Sequence, residues 1–415
     1  MVETNWAGNL TYRAAELRKP ESLGELADVI TASPRVRALG SRHSFSPIAD
    51  TEGTLVSLAQ MPREIEIDTG AATARVSAGL RYGDLVPALD AAGFALANLA
   101  SLPHISVAGA VQTGTHGSGD RIGSLATQVV GLDLMTADGE VRMLRRGEPD
   151  FDGAVVALGA LGVVTHLTLQ IEPTYEIAQT VYEGAEWDEV LPRFDGVTGA
   201  GDSVSLFTTW QDAGAIDQVW VKARPGRAHA DAVRAAGGRE ADGPRHPVPG
   251  VAPEPCTVQG GMPGPWHSRL PHFRLEFTPS AGAELQSEYL IDRRDIAAAV
   301  EALRGLASKI APLLYVCEVR TMAADDLWLS PAFGRETVGL HFTWRPDSAG
   351  VEALLPRIEE ALPASARPHS GKVFTMDADS IRRRYPRWDE FAALRERMDP
   401  RGRFTNDYLA RLGLG

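Results

Sequence analysis

The sequence predicts an α+β protein of two domains, and three observations carry that expectation. The chain has 415 residues, more than one ordinary hydrophobic core organises. Its texture changes after Pro173, from short alternating segments and glycine-rich loops to longer strands with many aromatic residues. In that second part strands and long helices follow one another without regular βαβ alternation, which points to an antiparallel sheet.

The composition, 44% hydrophobic and 23% charged with no low-complexity tract, is that of a globular protein. A net charge of −13 argues against nucleic acid as the main partner, because phosphate binding needs a basic surface. Two cysteines, Cys256 and Cys317, leave a single disulfide possible, and no CxxC knuckle is present. Residues 1–6 carry neither a basic region nor an apolar run, so no signal peptide is expected. No stretch of about 18 apolar residues exists to span a bilayer. The expectation is a cytoplasmic protein without membrane or nucleic-acid partners, and a monomer, since nothing in the sequence demands a second chain.

Ser22 is a candidate N-cap for a helix over 23–32, where Leu23, Leu26, Val29 and Ile30 recur at helical spacing before Pro34. A strand at 36–39 follows. Alternating segments at 65–67 and 74–76 flank a polar turn, and a helix over 82–92 closes at Gly93. Residues 129–134 and 140–144 read as a hairpin around Ala137-Asp138-Gly139. A helix over 151–161 then leads to a strand ending at Ile171. Past Pro173 the expected strands are 204–210, 218–222, 273–277, 289–291, 315–321 and 338–344. Residues 225–264 read as long irregular loop. Helices are expected over 294–310, 351–362 and 380–398, before a turn at 403–406.

Two loops hold the candidate chemistry of the first part. Gly40-Ser41-Arg42-His43-Ser44-Phe45 is a tight polar loop whose small residues can expose backbone N–H groups to an anion. His43 within it is a base, a nucleophile, an attachment point, or simply a loop histidine bonded to backbone. Between Ser101 and Gly123 stand Gly109, Gly114, Gly117, Gly119 and Gly123, interleaved with Ser106, Thr113, Thr115, His116 and Ser118. That density suits a second cofactor cradle or a solvent loop. It contains neither a Walker loop nor a G-x-G-x-x-G fingerprint.

In the second part, period-two reading places Glu318 with Arg320, and His341 with Thr343, on single sheet faces. Arg274 and Glu276 repeat the pattern. An ordinary solvated face explains such pairs, and so does a ligand rich in hydroxyl groups, which needs many directed hydrogen bonds. Lys372, between Gly371 and Val373-Phe374, is aimed into a site or reaches out to water. The other histidines show no metal-ligand spacing.

Together these motifs resemble a known family. Gly40-Ser41-Arg42-His43-Ser44-Phe45 is similar to the pyrophosphate loop of flavoproteins of the vanillyl-alcohol oxidase type. Ala100-Ser101-Leu102-Pro103-His104-Ile105-Ser106-Val107-Ala108-Gly109, with Thr113-Gly114-Thr115-His116-Gly117-Ser118-Gly119, is similar to their second flavin segment. With Cys317-Glu318-Val319-Arg320-Thr321, His341-Phe342-Thr343-Trp344 and Gly371-Lys372-Val373-Phe374, the whole chain resembles alditol oxidases, including xylitol oxidases.

The resemblance implies an FAD domain of residues 1–174 completed by 375–415, and an antiparallel-sheet substrate domain of residues 175–374. It implies covalent FAD, joined to the His43 ring through the flavin 8α-methyl group. Gly40, Ser41, Arg42, His43 and Ser44 would hold that cofactor. So would Ser101, Ser106, Gly109, Thr113, Gly114, Thr115 and His116, with Val163 and Asn406 beside them. A small polyol such as xylitol or sorbitol would bind Ser101, Glu318, Arg320, Thr343 and Lys372. His341 or Lys372 would be the base, Arg320 would stabilise charge, and O2 would be reduced to hydrogen peroxide. The implied alternatives are an FAD-dependent aldonolactone dehydrogenase with a non-oxygen acceptor and, from another class, a carbohydrate-binding protein without activity. One departure stands out. Related loops read Gly-x-Gly-His-Ser, and Arg42 occupies the second glycine's place, so either ordinary backbone geometry or an outward-reaching cation is expected there.

Overall fold

The computed structural model describes residues 3–277 and 283–415. Two antiparallel sheets organise it. The first has five strands in the order Ile65–Asp68, Thr73–Ser77, Val163–Gln170, Val129–Met135 and Val141–Arg145. Beside it, Glu16–Arg18, Thr54–Val56 and Val36–Ala38 form a small parallel sheet. The helix Leu23–Ala32 starts where Ser22 Oγ accepts from Glu25 N, and buries Leu26, Val29 and Ile30.

The second sheet has nine strands. Its central run is Glu176–Glu183, Gln218–Ala223, Ser203–Thr208, Leu314–Met322, Thr337–Trp344 and Leu285–Asp292. One face is dry. Cys317, Val319, Leu340, Phe342 and Trp344 join a buried cluster with the helices Ile296–Ile310 and Ser348–Ala361. The first of these helices buries Ile296, Ala299, Val300, Leu303, Ala307 and Ile310, a stripe at i, i+3, i+4 and i+7 that can only face a core. The opposite face carries polar residues and looks toward the first half of the chain.

Several expectations are corrected. Residues 273–277 form no strand: Phe273 makes an isolated bridge with Cys256, and Arg274 Nε donates to Cys256 O at 2.7 Å. Arg274 and Glu276 therefore share no sheet face. The helix expected over 151–161 ends at Val155, where Gln112 Nε2 donates to the carbonyls of Ala154 and Val155. The helix expected over 380–398 is two, Ala378–Arg384 and Trp388–Met398, because Pro386 has no N–H to continue the ladder. Lys372 lies in a loop. Cys256 and Cys317 are both buried free thiols.

Candidate active site

A cavity of about 660 Å³ runs from the His43 loop to the polar face of the large sheet. Its first stretch is built by two loops locked together. Ser106 N donates to Ser41 Oγ at 2.9 Å, and Ser41 N returns a bond to Ser106 Oγ at 3.4 Å. A Cβ at Gly40 or Gly109 would stand 2.6 Å from Ser106 Oγ, so glycine is what lets the loops meet. Thr113 and Thr115 bond through their hydroxyls at 3.0 Å on the same wall.

His43 sits in this stretch. Its Nδ1 is buried without a hydrogen-bond partner among the described residues. Trp6 stacks on the ring, 5.4 Å between centroids and 20° between planes. Burial, reinforced by His104, Arg81 and Lys372, pushes its pKa down to about 4, so the imidazole is neutral. Arg42 takes the left-handed backbone conformation, φ 65°, that a second glycine would favour, so the expectation of ordinary geometry is corrected. Its guanidinium reaches outward and pairs with the Glu3 carboxylate.

The far end of the cavity is a polar cluster on three strands. Register places Glu318 opposite His341, and His341 opposite Glu288, while Thr343 lies opposite Gln286. Arg320 stands between two carboxylates: Nη2 is 3.1 Å from Glu288 Oε1, and Nε is 3.6 Å from Glu318 Oε1. Arg320 Nη1 also donates to Ser101 Oγ at 3.4 Å. His116 Nε2 lies 3.0 Å from Glu288 Oε1. Lys372 arrives from its loop, whose Val373 N donates to Gln286 O and whose Gly371 O accepts from Phe45 N at 2.7 Å. The loop thus ties the His43 segment to the sheet. Lys372 Nζ donates to Gln286 Oε1, and His341 Nε2 lies 3.1 Å from the same oxygen.

Protonation follows from these contacts. Burial alone would raise the Glu288 and Glu318 carboxyls. For Glu288 the charge and hydrogen bond of His116, with Arg320, outweigh it; for Glu318, Arg320 and His272 do. Both lie well below the usual carboxylate range. Burial pushes His341 down to about 3 and Lys372 to about 8. Because Gln286 Oε1 only accepts, the neutral His341 ring carries its proton on Nε2, and its unprotonated Nδ1 lies 4.0 Å from Glu318 Oε2.

Of the residues expected to touch cofactor or substrate, most line this cavity, including Gly40 to Ser44, Ser101, Ser106, Gly109, Thr113, Thr115 and His116. Glu318, Arg320, His341, Thr343 and Lys372 also line it. Three expected residues do not. Asn406 Nδ2 donates to the carbonyls of Ile48 and Asp50, and its Oδ1 accepts from Leu409 N, so its amide is spent capping the last helix. The Val163 side chain packs with Leu26, Val36 and Phe404, leaving its neighbours Gly162 and Val164 on the cavity wall. Gly114, at φ 67°, turns toward Pro331. Glu288, Gln286, His272 and His369 were not expected. Extending the strand at 289–291 back to Leu285 would have put Gln286 and Glu288 on the polar face by the same period of two; nothing in the sequence places the two histidines.

The elongated cavity, the glycine-tight loops and the orphaned His43 nitrogen fit FAD. No group of three or more metal-ligating side chains occurs among the described residues. No helix there is long and apolar enough to cross a membrane.

Comparison with known proteins agrees with this architecture. The FAD binding domain family matches residues 14–145, and the D-arabinono-1,4-lactone oxidase family matches residues 283–412. An alditol oxidase of a Streptomyces species is 50% identical over 98% of this chain and 97% of its own length. An L-gulono-1,4-lactone dehydrogenase of Mycobacterium tuberculosis is 31% identical over 99% of both. Among solved structures, cholesterol oxidase from B. sterolicum matches with a TM-score of 0.78, over 99% of this chain and 96% of that one; at 16% identity this likeness concerns the fold alone. The chain belongs to the alditol oxidase family of FAD-binding proteins, within the vanillyl-alcohol oxidase type of flavoproteins.

Proposed function

We propose that the protein oxidises the terminal CH2OH of acyclic alditols such as xylitol or sorbitol to the aldose, with FAD as cofactor and O2 as acceptor. The observation that carries this reading is the polar cluster at the cavity's end. Two ionised carboxylates, a guanidinium, an ammonium, an imidazole and two hydroxyls converge there from the large sheet and from the loops of Ser101 and Lys372. A chain of hydroxyl groups satisfies such a set; an apolar alcohol does not. The 50% identical alditol oxidase supports the same substrate class.

Bound FAD supplies the acceptor for the alcohol's hydride and delivers the electron pair to oxygen as hydrogen peroxide. The residues from Gly40 to Ser44, with Ser106, Gly109, Thr113 and Thr115, would hold it, and His43 Nδ1, neutral and unbonded, would be its covalent anchor. His341 Nδ1 takes the hydroxyl proton. Lys372 and Arg320 stabilise the developing alkoxide, and Glu318, Thr343 and Ser101 fix the remaining hydroxyls. We assign residues 1–174 and 375–415 to the cofactor side and residues 175–374 to the substrate side.

The match of residues 283–412 to a lactone oxidase family, with the 31% identical L-gulono-1,4-lactone dehydrogenase, favours one second reading, an aldonolactone dehydrogenase with a non-oxygen acceptor. Anaerobic mixing with xylitol tests the choice: bleaching of the yellow colour is expected. Bleaching by an aldonolactone alone would overturn the alditol reading. Acid precipitation tests the anchor, with a yellow pellet expected from the native protein and a colourless one from His43→Ala. A colourless native pellet would exclude a covalent link.

A further inference from the structure

From Glu318 a directed chain of buried groups reaches back through His272 to Lys222. Lys222 lies on the strand Gln218–Ala223 and is 1% exposed. Its Nζ meets three acceptors: Leu270 O, Pro271 O at 3.2 Å and His272 Nδ1 at 3.0 Å. Three acceptors match the three hydrogens of an ammonium group, and an uncharged amine would leave one unsatisfied. With Nδ1 accepting, the His272 proton resides on Nε2, which lies 2.8 Å from Glu318 Oε1. The edges of Phe207 and Trp220 hold the His272 ring, at 5.6 and 5.2 Å between centroids. Burying an ammonium is costly unless its charge is used. Besides holding two loop carbonyls, this ammonium spends one hydrogen on a histidine ring that in turn bonds a site carboxylate.

We propose that Lys222 and His272 are positioning residues that act on the alditol through Glu318: the ammonium fixes the His272 tautomer, and His272 holds Glu318 ionised and aimed at the substrate's hydroxyls. This inference rests on the alditol reading of the site. The groups facing Lys222 are His272 and Cys256 from the loop above it, and Glu318 and Arg320 from the strand Leu314–Met322. Burial pushes Lys222 down to about 7, against the pull of Glu318. Cys256 is raised to about 12 and stays a neutral thiol, while burial keeps His272 at about 4 and neutral. The sign is then fixed. Below neutrality Lys222 is charged and the chain points at Glu318. As pH rises through 7 it loses its proton, the His272 tautomer is freed, and alditol binding weakens.

The test compares the flavin-loaded native protein with Lys222→Met and His272→Gln over pH 6–8, reading KM and kcat for xylitol separately. The native KM is expected to rise with pH. Lys222→Met is expected to raise KM by about tenfold at pH 6, to remove the rise of KM through pH 7 while leaving any change near pH 8 that Lys372 causes, and to change kcat little. His272→Gln keeps a donor toward Glu318, so it should recover part of the KM yet show no rise through pH 7. Imidazole 15N NMR, assigned with His272→Gln, reads the tautomer independently of turnover: an Nε2–H signal in the native protein should shift in Lys222→Met. A native protein inactive on xylitol would sink the alditol reading while leaving the NMR test standing. A native-like KM profile in Lys222→Met, or an unchanged His272 tautomer, would overturn the relay. Should Lys222→Met fold poorly, His272→Gln with native pH dependence would overturn it equally.

Discussion

Single residues set the chemistry, and their charge ranks them. Arg320 contacts Glu288 at 3.1 Å and Ser101 at 3.4 Å, whereas Thr343 offers the cavity one hydroxyl. Hydrogen bonds to charged groups contribute about 1.5–3 kcal/mol against about 1 for neutral ones. Arg320→Ala should therefore cost far more in kcat/KM than Thr343→Ala, and equal losses would contradict the ranking. Arg42 gives a second case. It holds φ 65° and pairs with Glu3. Arg42→Gly relieves a left-handed cost of about 1 kcal/mol and loses a half-exposed pair of about 0–1 kcal/mol, so stability should change by less than about 1 kcal/mol. Arg42→Ala keeps the strain and loses the pair, and should melt below Arg42→Gly; identical melting temperatures would show that the backbone is not held there. The residue types at both positions were legible in the sequence. The left-handed backbone at Arg42 was not, because it depends on Trp6 N donating to Arg42 O, a contact made by a segment more than thirty residues upstream.

Elements decide which of those residues meet. Period two placed Glu318 with Arg320 and His341 with Thr343, and the sheet register then set His341 opposite both Glu318 and Glu288. Periodicity reports a face but not a neighbour, so the Glu288–Arg320 pair could not be read without the strand order. The same rule failed at 273–277, where Phe273 only bridges Cys256 and no ladder exists to give the alternation a face. Packing of the second glycine-rich segment is tight at Gly117, where a Cβ would stand 2.5 Å from Leu99 O and 2.6 Å from Asn98 Oδ1. Gly117→Ala must displace backbone, and should lower stability by about 1–3 kcal/mol with loss of bound flavin. Denaturant unfolding together with the flavin-to-protein absorbance ratio checks this; native values for both would mean the segment is free to move.

The whole molecule stores its polar site as buried, mostly neutral histidines. Burial holds His272 at about 4 and His341 and His369 at about 3, all below the ordinary 6.5. Unfolding exposes them, and the unfolded chain takes up protons as soon as pH drops below about 6.5. Stability is therefore complete above that pH and falls as pH decreases toward 4, by about 1.4 kcal/mol per pH unit for each histidine. Glu288 and Glu318, depressed by their cationic partners, add to the loss below their unfolded range. A melting temperature that stays level from pH 7 to 4.5 would contradict this picture. The antiparallel second sheet was legible from texture alone; the closure of the cavity was not, because the contact between Phe45 N and Gly371 O joins segments from opposite ends of the chain. Taken together, the polar cluster presents an alditol to a flavin that O2 reoxidises. Oxygen uptake by the purified, flavin-loaded protein tests it most directly. With xylitol, steady oxygen consumption and an equal yield of hydrogen peroxide are expected. No uptake with xylitol, alongside dye reduction driven by an aldonolactone, would contradict it.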